Sequence, residues 1–151
     1  MKNFKRYIPI ILLILHCCLI FFFSAQDAKS SASLSKGIVR TVIEATPGVK
    51  KLEKSQIDKV EHITRKIAHF VLFLMLGIYA YLSAESLGTR NKLMVALLFC
   101  LAYAASDELH QLFSNGRAGR ISDVVLDFCG SLTGVTVTFC LRKKLEKRGK
   151  L

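Results

Sequence analysis

A chain of 151 residues has the length of one ordinary soluble domain, but 52% of this one is hydrophobic and its mean hydropathy is +0.38, with the apolar residues gathered in blocks. The formal charge is +11, yet there is no basic stripe with interleaved aromatics and no recognised nucleic-acid motif, so nucleic acid is excluded as a partner. Much of the positive charge instead flanks apolar segments, where lysine and arginine fix orientation and meet anionic lipid.

The first block, residues 7–25, contains no Asp, Glu, Lys or Arg. A bilayer core about 30 Å thick needs about 17 to 25 mostly apolar residues, so this block is read as a first span. Pro9 is expected in its first turn, where a missing N–H costs nothing. The block ends Phe23-Ser24-Ala25-Gln26, a poor small-x-small cleavage site, and a retained signal anchor is expected in place of a cleaved leader.

Residues 26–66 are too few to build a core of their own and are read as an extracytoplasmic segment on the membrane surface. Leu34, Ile38 and Val42 are spaced for an amphipathic helix interrupted at Pro47-Gly48. A second helix is expected near Ser55, where Ser55-x-x-Asp58 resembles a capping box, running directly into a second span over residues 67–84. Gly88-Thr89 mark a short turn before a third span at 93–113, and Asn115-Gly116 a turn before a fourth at 124–141. Residues 142–151 are read as a basic cytoplasmic tail. The predicted class is all-α: a polytopic membrane protein, a bundle of about four transmembrane helices with a short extracytoplasmic helical segment.

An even number of spans places both termini on one side. Lys2, Lys5 and Arg6 before the first span and Arg142, Lys143, Lys144, Lys147, Arg148 and Lys150 after the last argue for the cytoplasm. Cys17, Cys18, Cys100, Cys129 and Cys140 all lie in apolar blocks without C-x-x-C spacing, so free thiols acting as small hydrophobes are expected.

The same topology brings the end of the first span, the start of the second, the end of the third and the start of the fourth to one face. That face collects Ser24 and Gln26; Arg65, Lys66 and His69; Asp107, Glu108, His110 and Gln111; Arg117 and Arg120; Asp123 and Asp127. If the third span stopped before Asp107 it would be only about 21 Å long at 1.5 Å per residue. The helix must therefore carry Asp107 and Glu108 to the membrane boundary, where ionisable groups are costly unless paired or facing a hydrated cavity. Gly130 and Gly134 form a G-x-x-x-G that continues the Asp127 face inward and permits close helix packing.

The paired arginines of Gly116-Arg117-Ala118-Gly119-Arg120 suit bidentate recognition of phosphate or carboxylate. Lys66, His69, Gln111, Arg117, Asp123 and Asp127 are candidate ligand-binding residues, and Asp107, Glu108 and His110 are candidates for proton transfer. The competing possibility is a salt-bridge network that only locks the helices, although apolar side chains would hold a bundle at lower cost. His69, His110, Asp107 and Asp127 have the chemistry for zinc or manganese. Their spacing matches no metal signature, so neither a metal nor a cofactor is expected. Asp107-Glu108-Leu109-His110 matches the D-E-x-H string of helicases, but no phosphate loop accompanies it.

Arg65-Lys66-Ile67-Ala68-His69-Phe70 with Leu76-Gly77, Ala105-Ser106-Asp107-Glu108-Leu109-His110-Gln111-Leu112-Phe113, Gly116-Arg117 and Asp123-x-x-x-Asp127-x-x-Gly130 resemble the VanZ-like membrane protein family over residues 8–141. Asn115 stands where that family often has proline. The resemblance implies a bacterial envelope protein, from a family named for a member associated with low-level resistance to the glycopeptide teicoplanin, and it supplies no reaction. The leading expectation is a multi-pass protein of the bacterial cell membrane, both termini cytoplasmic, that binds an anionic lipid-linked or phosphorylated envelope molecule and could modify or move it. The alternatives are a small transporter or proton-coupled permease, whose charges should extend across the bilayer, and a non-catalytic membrane assembly factor.

Overall fold

The computed structural model describes residues 2–25, 54–113 and 120–149, together with Gly37 and Thr41. It contains four long helices: α1 (Lys2–Ser24), α2 (Lys54–Ser86), α3 (Lys92–Leu112) and α4 (Ile121–Lys147). All four are long and apolar enough to cross a membrane, and the described residues contain no strand. The chain is a multi-pass membrane protein. The amphipathic segment expected at Leu34, Ile38 and Val42, the Pro47-Gly48 break, Gln26 and the Asn115-to-Gly119 turn lie outside the described residues.

The helices overrun the apolar blocks because lysine, arginine, glutamate and leucine are all good helix formers and continue a helix past the lipid. α1 begins at Lys2, so Pro9 lies inside the helix and not in its first turn; the ring removes the amide that would have bonded the Lys5 carbonyl. α2 is one continuous helix of 33 residues, about 50 Å at 1.5 Å per residue, so the helix expected near Ser55 does run into the second span. Ser55 sits inside that helix, which is already under way at Lys54. α4 continues to Lys147, so much of what reads as a tail from 142 onward is helical.

α2 ends where Gly88 adopts a left-handed conformation, φ +73°. The Thr89 amide bonds the Ala84 carbonyl at 3.1 Å and the Gly88 amide bonds the Glu85 carbonyl at 3.0 Å, the paired pattern of a Schellman cap. That tight reversal keeps α3 against α2.

α2 is the central helix. It packs on α1, α3 and, most extensively, α4, whereas α1 touches α3 only lightly. The buried core combines Phe73, Leu76, Ala80 and Tyr81 of α2, Ile20 of α1, Ala96, Cys100 and Ala104 of α3, and Val135 of α4. Ile11, Ile14, Leu15 and Phe22 of α1 remain exposed, as side chains facing lipid would be.

The α2–α4 seam is close because of glycine. A Cβ at Gly130 would collide with the Phe70 carbonyl, one at Gly134 with the Leu74 carbonyl, and one at Gly77 with the Ser131 carbonyl. Small residues thus let two backbones meet in a setting where lipid offers no hydrophobic drive for association. Polar groups add two further ties to α1: the Tyr103 hydroxyl donates to the Cys17 carbonyl at 2.7 Å, and His16 Nε2 meets the Leu72 carbonyl at 2.8 Å. The five cysteines are free.

Candidate functional site

The arrangement begins with helix direction. α2 and α4 run the same way, so Lys66, His69, Phe70 and Leu74 meet Asp123, Asp127, Gly130 and Gly134 in order along the seam. Lys66 Nζ is 3.2 Å from Asp123 Oδ1, and His69 Nδ1 is 3.7 Å from Asp127 Oδ2. The glycine seam that sets the helix spacing therefore also sets the spacing of these pairs.

α3 contributes the third wall. Its buried stripe runs Ala96, Cys100, Ala104, Asp107, Glu108, Gln111, small and apolar near the α2–α3 turn and charged near Leu112. His69 lies about 26 Å of helix from Ser86, and Asp107 about 22 Å from Lys92, at 1.5 Å per residue. Both are thus inside one edge of an apolar core about 30 Å thick. Gln111 Nε2 donates to Asp107 Oδ2 at 2.8 Å. One donor atom each from His69, Asp107 and Asp127 lies within 4.8 Å of the other two, so three helices converge on one point.

Glu108 serves another junction. Its Oε1 accepts the backbone amide of Arg120, the residue that caps α4, and places a carboxylate at the positive end of that helix. His110 does not join the Asp107 group. Its ring stacks on Phe21 of α1, with centroids 4.3 Å apart.

Charge matching in this group is incomplete among the described residues. Asp107, Glu108 and Asp127 are buried, yet Lys66 is the one lysine or arginine among the described residues that pairs with any acid of this group, and it pairs with Asp123. Glu108 Oε2, both Asp127 oxygens, His110 Nε2 and Arg65 Nε are buried without a hydrogen-bond partner. Buried polar atoms in that condition are rare and need a physical cause. Arg117 and its loop lie outside the described residues.

Sequence reasoning missed Glu61, buried at 4% exposure with Oε1 unpartnered. The signal was available in the helix that begins before Ser55, since Glu61 and Arg65 are one turn apart on it. It also missed a second polar cluster at the opposite end. There Glu85 pairs with Lys92 at 2.9 Å and with Arg142 at 3.0 Å, and Lys92 also approaches Glu146 at 3.8 Å. Arg6 Nε donates to the Ser86 carbonyl at 2.7 Å, tying α1 to the same cluster.

A family profile described as VanZ/LLP1 matches residues 9–142. The chain belongs to the VanZ/LLP1 family. No curated protein and no solved structure matches it. The VanZ/LLP1 match takes in all of the convergent group, from Lys66 and His69 through Asp107 to Asp127, and most of the glycine-packed bundle that holds it.

Proposed function

We propose that this VanZ/LLP1 protein lies in the bacterial cell membrane with both termini cytoplasmic, and binds an anionic lipid-linked or phosphorylated envelope molecule at its outer face. The observation that carries this reading is that Arg65 Nε and His110 Nε2, at this membrane boundary, are buried without a hydrogen-bond partner, donors that an anion would satisfy. A locking network would pair them; a binding site leaves capacity for a ligand. Lys66, His69, Gln111, Arg117, Asp123 and Asp127 are the binding set. Asp107, Glu108 and His110 are the groups through which a bound molecule would exchange a proton. A link to teicoplanin resistance rests on family membership alone.

The test is native mass spectrometry of the detergent-purified protein, where a co-purifying anionic lipid-linked species is expected. Arg117→Ala should lose that species with thermal stability unchanged. No bound species in the wild type, or parallel loss of ligand and stability in the variant, would overturn the proposal. For orientation, phosphatase fused after Glu44 should be active and after Lys150 inactive, and the reverse pattern would invert the topology.

A further inference from the structure

We infer that His69, Asp107 and Asp127 form a binding site for a divalent transition-metal cation, zinc or manganese in chemical class. Each offers a ligand atom, and the three atoms all lie within 4.8 Å of one another. They come from α2, α3 and α4, so the site exists only in the folded bundle.

Asp127 supplies the independent observation. Its side chain is 1% exposed, and neither oxygen has a hydrogen-bond partner. The His69 nitrogen 3.7 Å away is too distant for a hydrogen bond. That separation is near what two donors show when they share a cation: bonds of about 2.0 Å at a tetrahedral angle put the donors about 3.3 Å apart. A small inward movement of each side chain would close the set.

Charge argues the same way. Asp107 and Asp127 are both buried, and no lysine or arginine among the described residues pairs with either. Two adjacent carboxylates in an apolar setting are costly without a counter-charge, and a single divalent ion supplies it for both. The Gln111 amide on Asp107 Oδ2 holds that carboxylate in place, as outer-shell partners of metal ligands do. One imidazole and two carboxylates suit zinc or manganese better than the all-oxygen cages of calcium, and three protein ligands leave a coordination position open. His110, which chemistry alone would admit, is held on Phe21 and stands outside the set. The cation does not depend on an anion binding beside it.

The full chain, purified in detergent with a tag free of histidine, is stripped with chelator, incubated with zinc or manganese chloride, and dialysed exhaustively before metal analysis. Wild type should retain about one ion per chain, and Asp127→Asn and His69→Ala at least about tenfold less. Added metal should raise the wild-type melting temperature by a few degrees, with no rise in either variant. Wild type that retains no ion would overturn the site without any variant having to fold. Retention by both variants at the wild-type level would equally overturn it. Because the readout is metal content, its failure is separable from a failure to find an anionic ligand.

Discussion

At the end of the bundle where α1 begins, Glu85 receives Lys92 and Arg142 at 2.9 and 3.0 Å, whereas at the other end Asp127 meets one imidazole at 3.7 Å. The first group is partly exposed and its charges are matched across α2, α3 and α4. The second is largely buried and, among the described residues, carries acids in excess of the lysines and arginines that pair with them. Residue types alone would rank the two ends alike. Pairing separates them: a cluster that satisfies itself joins helices, and one that does not holds capacity for something else.

The largest effect expected removes both ends together. Gly134→Val would drive a side chain into the Leu74 carbonyl on the seam that carries every α2–α4 pair, and about 3 kcal/mol or more of stability should be lost. Unfolding in detergent measures it; a variant as stable as wild type would show that the two ends do not share this seam as their support. Smaller and opposite in sign is Asp127→Asn in metal-free protein. Removing a buried carboxylate that no lysine or arginine among the described residues reaches should leave stability unchanged or raise it by about 1 kcal/mol, while the capacity to take up ion and ligand is lost. A fall of about 3 kcal/mol or more would make His69–Asp127 an ordinary buried pair and erase the contrast. The smallest is Arg142→Gln, expected to cost up to about 1 kcal/mol because the pair is partly solvated, with ligand retention unaffected. Lost retention in that variant would mean that the termini end also belongs to the site.

The four spans were legible because apolar blocks of bilayer length with so few charges rarely belong anywhere but in lipid. So was the convergence of His69, Asp107 and Asp127, since an even number of antiparallel spans fixes which ends meet and helix length fixes depth. Pairing within the group was not legible. Asp107, Glu108 and Gln111 share the buried stripe of α3, while His110 sits toward α1 and is taken by Phe21; spacings of three and four look alike in sequence, and the neighbour decides. The Glu85–Lys92–Arg142 cluster escaped notice for a related reason. Arg142 read as a lipid anchor while Glu85 and Lys92 stood beside a turn with no assigned role, and only the packed ends of three helices show them meeting.

The bond from the Arg120 amide to Glu108 also has a consequence for biogenesis. α3 is the least hydrophobic of the four spans and carries Asp107 and Glu108 near its trailing end, each expensive to place in lipid. The backbone amide that bonds Glu108 Oε1 is encoded twelve residues later, at the threshold of α4. While the ribosome has made only the first three spans, that carboxylate has no such partner, and α3 is expected to remain at the translocon or slip back toward water. Synthesis past residue 120 supplies the amide, so α3 and α4 should leave the insertion machinery as a pair, after α1 and α2 are already in the bilayer.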